Sequence, residues 1–586
     1  MMEILNSNDD ITRRSFLAVA GGTAGIAALA SLGVPTGWAA NESEVDVEKI
    51  AYHEDETDIL VLGSGMAGLF AAVKGHDAGA RVIMVSKGRL GSSGQTPFAK
   101  GIFAFDPKTE KTSIDEFVAA VGRSALETNN PVYTRQMAEN SLARVNELRE
   151  WGFFESALYC NAFNKPIEER GIPVIERVMI TNLLKENGRI AGAAGFSLDE
   201  GKACIIKAKS VILCTGAGGF KPNGFPICDL THDGTVMAYN IGAKVTGKEW
   251  NDGHIAQAAN AAACYDGWHG MFERKPGVTG VEIHHDLGVD MNYMAYRNGN
   301  PIRMGPPRTG GGTSAESGPF VPAEFRCSGP PSGPPGDRNG RRLPQRGDDR
   351  HERGEGPPGM HGKSVGGASA GMSIHKSEGL VPINDKCESN IPGLYAAGDA
   401  LGSYMAGAIY TQVGSSLAGS AVQGTIAAEA AAEYCKGVEL PKVSDATIKI
   451  VQEEMFAPLK REAGYGPAWV TQTLQGIMIP NFVIYIKKES ILKAALAYIE
   501  ELRDHHMPSL RAADMHELRL AHETSNMIVS AEMKLRASLM RKESRCSHYR
   551  LDYPEMDDEN WRAWINIIKG ADGDMRLEKQ PFDSWP

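Results

Sequence analysis

Cysteine is scarce in this chain. The nine among 586 residues are Cys160, Cys204, Cys214, Cys228, Cys264, Cys327, Cys387, Cys435 and Cys546. No C-x-x-C-H occurs and no cluster-type spacing links them, which excludes a covalent haem and an iron–sulfur centre in this chain. No metal site is expected, and nine thiols in so long a chain do not make a disulfide-stapled scaffold. Basic charge is lacking too: Lys and Arg number 61 against 72 Asp and Glu, a formal −11 with an isoelectric point near 5.8. A nucleic-acid surface needs a basic face, so that partner is excluded. Beyond the amino-terminal segment no run of 18 uninterrupted apolar residues appears, so no membrane span is expected in the mature chain, which should be soluble. The remainder, 42% hydrophobic and 23% charged, describes a large-cored globular protein of two to four domains.

Residues 12–18 read TRRSFLA, followed by an apolar stretch that closes with GWAA at 37–40. A charged start, an apolar middle and a small-residue end make residues 1–40 a signal peptide. Arg13-Arg14 with Phe16 and Leu17 matches the twin-arginine export pattern, whose cargo crosses already folded. Cleavage is expected after Ala39 or Ala40, and residence in the periplasm or at the outer face of the cytoplasmic membrane.

Glycine is abundant, 66 residues, and many lie in two clusters. The first sits in DILVLGSGMAGLFAAVKGHDAGARVIMVSKG, residues 58–88. Ile59 to Leu62 reads as a buried strand, a helix runs to about Ala78, and Arg81 to Val85 is a second strand. Between the first strand and the helix stands G-x-G-x-x-G, made by Gly63, Gly65 and Gly68. Those glycines permit a tight turn, close approach of backbone to a pyrophosphate, and helix–strand packing, with the helix N-terminus facing the phosphate charge. The second strand ends in Ser86, where an acidic residue often binds a ribose, so this motif alone leaves FAD or NAD open. The second cluster, IPGLYAAGDALGSYMAGAIYTQVGSSL at 391–417, has a strand ending in Gly398-Asp399 and a Gly414 turn opening a helix. Two such turns far apart in sequence point to one extended cofactor, FAD, with Asp399 on its ribityl or pyrophosphate part.

Two further features stand apart. In ILKAALAYIEELRDHH (491–506), Ile491, Ala495, Ile499 and Leu502 fall on one helical face, and Leu518, Ala521, Ile528, Leu535 and Leu539 repeat the pattern, so two packed helices are expected. In 305–362, Gly and Pro total 25 of 58 residues, Arg supplies 8, and Lys, Ile, Tyr and Trp are absent. Such a stretch reads as loop or disorder. Two origins stay open: a mobile insertion, or a local reading-frame error in a GC-rich gene.

At four ordered motifs the sequence resembles the flavoprotein subunits of fumarate reductase and succinate dehydrogenase, with aspartate oxidase, adenylylsulfate reductase and soluble fumarate reductases as relatives. VILCTGAGGF (211–220) is similar to that family's strand ending in Thr-Gly-Gly. LTHDGTVMAYNIGAKVTGKEWNDGH (230–254) matches, without gaps, a D-G-x-x-M-A-x-x-x-G-A segment that ends in a histidine. IPGLYAAGD (391–399) is nearly diagnostic. RKESRCSHYRLDYPEMDDENW (541–561) resembles R-x-E-S-R-G-x-H-x-R-x-D-Y-P, with Cys546 where Gly is usual. The likeness covers residues 55–300 and 366–565.

The resemblance implies an α/β fold: a Rossmann-like FAD-binding domain split between 55–228 and 366–435, an inserted α+β capping domain at 229–365, and a C-terminal helical domain at 445–586. It implies FAD contacts from Gly63, Gly65, Met66, Ala67 and Gly68, from Ser86, Lys87, Thr96 and Gly101, from Thr215, Gly216 and Asp233, and from Gly398, Asp399, Ser415, Ser416 and Leu417. It further implies reduction of a polarised double bond by hydride from flavin N5, with substrate held by His254 and His375. Glu249 stands at the family's acidic position, open to a bland reading as a solvated or helix-capping charge. Arg350, in RGDDRHERGE, is the choice for the proton donor, against a solvated charge cluster.

Two departures carry weight. Covalent-flavin members have a histidine where GSSGQTPFAKGI (91–102) offers Gln95, so FAD is expected to be noncovalent. Dicarboxylate enzymes have an arginine where MAGAIYTQVG places Tyr410; a phenol cannot grip a carboxylate bidentately, so a C4-dicarboxylate is doubtful and a less charged enoate or unsaturated carbonyl is favoured. With FAD as the only redox centre in the chain, electrons must pass to or from a cytochrome, an iron–sulfur subunit or a quinol-linked protein. Three functions remain open: an exported terminal reductase of an activated C=C bond, a dehydrogenase or oxidase running in reverse, and a noncatalytic flavin electron-transfer subunit.

Overall fold

A strand covered on both faces needs an unbroken apolar run, and Ile59 to Leu62 supplies one; all four side chains are at most 2% exposed. They end β1 (Tyr52–Leu62), which lies inside a seven-stranded sheet. In this computed structural model the described residues are 52–92, 94–98, 102–108, 110, 112–154, 159–220, 230–250, 252–253, 373–374, 378–408, 414–484 and 486–585. The amino-terminal leader and the Gly/Pro-rich stretch lie outside them.

Helix α1 (Met66–Asp77) returns the chain to β2 (Val82–Val85), parallel to β1 with Ile59 opposite Val82. Strands β3 (Val174–Ile175), β4 (Val178–Glu186), β5 (Arg189–Ser197) and β6 (Ala203–Leu213) complete the order β3-β2-β1-β6-β5-β4. The β3-β2-β1-β6 pairs are parallel and the β4-β5-β6 pairs antiparallel. β1 starts seven residues earlier than its apolar run because Tyr52 to Thr57 pair with Ala203 to Ala208 of β6, a tertiary contact that local patterning does not reveal.

Beyond β6 come β7 (Gly219–Phe220), α2 (Asp233–Asn240), β8 (Val245–Thr246) and β9 (Asp252–Gly253). β10 (Ser373–Ile374) pairs antiparallel with both β7 and β9, and β11 (Gly379–Leu380) with β8. β12 (Leu394–Ala396) then joins β6 in parallel, Leu394 opposite Val211, so one α/β sheet is built from two distant stretches of chain. Helix α3 (Ser415–Lys436) packs on α1 through small residues: a Cβ on Gly424 would stand 2.3 Å from the Ala67 carbonyl oxygen.

The C-terminal region contains β13 (Ile486–Lys487), α4 (Glu489–Glu501), α5 (Met515–Met540) and β14 (Tyr549–Arg550). Leu518, Ala521, Ile528 and Leu535 are buried as the periodicity requires. On α4 the expected Ala495, Ile499 and Leu502 are buried, but Ile491 is 40% exposed and its neighbour Leu492 takes its place in the core. The helix also ends at Glu501, where a wider π-type turn takes over to His506. The region is not wholly helical. β15 (Ala563–Lys569) and β16 (Met575–Pro581) form a hairpin that pairs with β8, Asn566 opposite Thr246. This four-stranded sheet, β11-β8-β15-β16, seats the C-terminal region against the stretch leading into β9.

Candidate functional site

The carboxyl ends of β1, β2 and β6 meet at an open cleft of about 950 Å³ of atom-free space, part of it solvent. Gly63 there has φ +109°, and a Cβ on it would stand 2.2 Å from the carbonyl oxygen of Cys214 at the end of β6. Only glycine satisfies both constraints. Gly68 acts behind the turn: its Cβ would meet the Gly63 carbonyl oxygen at 1.9 Å. The first turn of α1 carries no acidic residue, so no side-chain charge there opposes an anion at its N-terminus. The Met66 amide donates to Thr96 Oγ1 at 3.1 Å, and the hydroxyls of Ser64 and Ser86 stand 2.6 Å apart.

Lys87 spans one end of the cleft. Its Nζ donates to Thr231 Oγ1, Asp233 Oδ2 and Glu523 Oε1, each at 2.8 Å, and Asn526 Nδ2 donates to Asp233 Oδ1 at 2.9 Å. Burial pushes the Asp233 carboxyl up, yet Lys87 and its hydrogen bonds hold it below the usual carboxylate range. At another wall Gln95 Nε2 donates to Asp399 Oδ2 at 3.3 Å. The Thr215 hydroxyl is buried with no partner among the described residues. A glycine-lined turn, an acid-free helix N-terminus, an acidic turn at Asp399 and an orphaned hydroxyl fit a long dinucleotide carrying a pyrophosphate.

Of the residues assigned to the cofactor, Gly63, Gly65, Met66, Ala67, Ser86, Lys87, Thr96, Thr215, Gly216, Asp233, Gly398 and Asp399 line this cleft. Gly68 supports it from behind. Ser415, Ser416 and Leu417 do not line it; they open α3, which contributes Ser420 instead. Gly101 lies outside the described residues, as do His254, Arg350, His375 and Tyr410.

A second cluster, buried and charged, surrounds Lys248 to Trp250. Lys248 Nζ donates to Glu378 Oε2 at 2.8 Å and to Ser530 Oγ at 3.1 Å, and Nδ1 of His232 stands 2.7 Å from the same Ser530 hydroxyl. Burial lowers the His232 pKa, against the opposing pull of Glu378 Oε1 3.3 Å from Nδ1. Glu249 is neither solvated nor a helix cap: it is fully buried, its Oε1 accepting from Arg541 Nε at 3.1 Å and Nη2 at 2.9 Å. Lys487 donates to the Glu249 carbonyl at 2.6 Å, and Lys534 to the carbonyls of Lys248 and Trp250, each at 3.3 Å. From Arg541 the ion pairs continue through buried Glu543 and Arg545 to the exposed Asp558.

Helix α5 connects the two regions. Glu523, Asn526, Ser530 and Lys534 follow at helical spacing on one face, the first two toward Lys87 and Asp233, the last two toward Lys248 to Trp250. The sequence reading used only the apolar face of this helix. It missed Lys487, Lys534, Glu378 and Arg541, and treated 541–561 as a signature without a task; the one signal available was the density of charge in RKESR.

The comparisons agree with this geometry. A family model described as FAD binding domain matches residues 58–160, and one described as fumarate reductase flavoprotein C-term matches 471–585. An uncharacterised FAD-dependent oxidoreductase of Methanocaldococcus jannaschii is 27% identical, covering 88% of this chain and 96% of its own. One of the subunits of the fumarate reductase (CoM/CoB) of Methanothermobacter marburgensis is 26% identical over 87% and 96%, and L-aspartate oxidase of Streptomyces coelicolor 23% over 90% and 94%. Among solved structures, the FrdA chain of E. coli quinol fumarate reductase superposes with TM-score 0.70 at 18% identity, covering 90% of this chain and 97% of that one.

Proposed function

Because the chain belongs to the fumarate reductase/succinate dehydrogenase flavoprotein family, with FAD as its cofactor, we propose that it is an exported reductase of an activated C=C bond, acting on an enoate or unsaturated carbonyl. The observation that carries this reading is the pairing of β9 with β10, Gly253 opposite Ser373 and Asp252 opposite Ile374. Positions 254 and 375, on which the resemblance places substrate-binding histidines, follow these two strands in sequence, and because the pair is antiparallel the chain leaves it toward them at opposite ends.

FAD supplies two-electron hydride exchange when bound in the cleft. The chain's own work is to hold both partners still. Gln95 and Asp399 wall the cleft by their hydrogen bond, and Lys87 fixes Thr231 and Asp233 at its other end. Lys248, four residues before β9, and Glu378, four residues after β10, pair away from water. Gln95 offers no imidazole, so the FAD is noncovalent. Electrons arrive from a separate cytochrome, iron–sulfur or quinol-linked partner. The described residues contain no helix long and apolar enough to cross a membrane.

A second reading, oxidation of a saturated acid, is favoured by the likeness to L-aspartate oxidase. Purified holoprotein supplied with reduced viologen should consume crotonate or other enoates, whereas an artificial acceptor with saturated acids should support slower turnover. Faster oxidation than reduction would select the second reading, and no turnover in either direction an electron-transfer subunit. Export is tested separately: Arg13→Lys with Arg14→Lys should strand the protein in the cytoplasm, and unchanged export would remove that part of the proposal.

A further inference from the structure

Arg541 is fully buried and makes its contacts from one planar group. Nε and Nη2 reach Oε1 of Glu249, Nη1 reaches Glu543 Oε1 at 2.7 Å and the Trp561 carbonyl at 3.1 Å, and the guanidinium lies 4.4 Å from the centre of the Trp250 ring. One cation therefore holds the side chains of two consecutive residues, Glu249 and Trp250. The main chain of the same stretch is held by Lys487 and Lys534. Two residues later the chain enters β9.

Burying ions is a poor way to add stability, because apolar residues of equal volume do as well or better. A rigid fork of donors is a good way to fix a position. A lysine at 541 would be a single point charge and could not hold Glu249 and stack on Trp250 in the same geometry. We propose that Arg541 is a positioning residue for the reaction: acting through Glu249 and Trp250, it fixes the stretch that runs through β9 toward position 254. It does not line the cofactor cleft. The inference rests on the reading above that this stretch faces the substrate.

The test compares wild-type holoprotein with Arg541→Lys and Glu249→Gln. Hydrogen exchange over Lys248 to Gly253 should quicken at least tenfold in both variants, with exchange in α1 unchanged. FAD should stay bound, and reoxidation of the reduced flavin by ferricyanide, which needs no organic substrate, should stay within twofold of wild type. Crotonate reduction should lose about ten- to a hundredfold in kcat/KM, mostly in kcat, as misplacement of a reacting partner does. Unchanged exchange in a variant that keeps FAD overturns the proposal. So does loss of FAD and ferricyanide reactivity from both variants, which would make Arg541 a structural ion only. If wild-type protein reduces no enoate, the functional reading falls by itself, and the exchange result alone decides whether Arg541 positions this stretch.

Discussion

Gln95 and Asp399, 304 residues apart in sequence, meet at the wall of the cleft, Nε2 of the amide donating to Oδ2 of the carboxylate at 3.3 Å. The contact joins the loop after β2 to the turn after β12. The resemblance puts Gln95 where covalent-flavin members have a histidine, and a carboxamide is not a nucleophile that could form such a bond. FAD should therefore leave the protein on acid or heat denaturation and colour the supernatant. Yellow colour retained by the washed precipitate would contradict this.

Glu543 accepts from two buried guanidinium groups, Arg541 Nη1 at 2.7 Å and Arg545 Nε at 2.9 Å, and from the Asp557 amide at 3.0 Å. Replacing it by Gln keeps the shape but leaves Arg541 with Glu249 alone and Arg545 with the exposed Asp558 alone, which should cost about 3 kcal/mol, the low end for a broken buried pair. Arg576 and Asp572 form an equally short pair at 61% and 49% exposure. Arg576→Ala should cost no more than about 1 kcal/mol, because water and salt screen the pair. Chemical denaturation of both variants checks the contrast; equal losses would mean that burial of the 541–545 cluster is not what sets its energy.

The difference between these two pairs marks what the sequence could reveal. Gly63, Gly65 and Gly68 were readable because a phosphate turn demands glycine at fixed spacing, and Ile59 to Leu62 because a strand covered on both faces cannot alternate. Arg541 and Arg576 look alike in sequence. They part company only when Glu249, Trp250, Glu543, Trp561 and Ala563 converge on the first while the second stays exposed. The α4 face shows the same limit on a smaller scale: Ile491 and Leu492 are adjacent and both apolar, so the pattern could not say which one points inward. The β15–β16 hairpin escaped because β15 also pairs with β8, more than 300 residues earlier, a contact that local patterning does not show.

Lys534 offers a test by pH. Burial lowers its pKa from the usual 10.5 to about 7, with Glu378 and Glu249 raising it and Lys248 lowering it. Between about 7 and 10.5 the unfolded chain holds a proton that the folded chain does not, so stability attributable to this group rises with pH across that window. The benefit is complete above 10.5 and lost as pH falls through 7. Lys534→Met removes the dependence. Its melting temperature relative to wild type should be more favourable at pH 6 than at pH 9, whatever the sign of the offset. Equal offsets at the two pH values in paired thermal melts would show that Lys534 stays charged in the folded chain as in the unfolded one.

The last prediction concerns substrate choice at position 410. The resemblance places the arginine of dicarboxylate enzymes at the position where this chain has Tyr410. A guanidinium grips a carboxylate by two charge-assisted hydrogen bonds, whereas a phenol offers one neutral donor. The difference is typically about 1.5–3 kcal/mol, or roughly ten- to a hundredfold in binding. Fumarate carries a second carboxylate that must be desolvated whether or not a cation meets it, so without that cation it should be a poorer substrate than a monocarboxylate enoate such as crotonate. Tyr410→Arg should reverse the order, raising kcat/KM for fumarate about tenfold or more while lowering that for crotonate, whose apolar end would then face an uncompensated charge. Competition assays with both acceptors present read this ratio directly. Equal use of the two by wild-type protein, with no change in Tyr410→Arg, would place the second carboxylate on another cation and restore a plain fumarate reductase specificity.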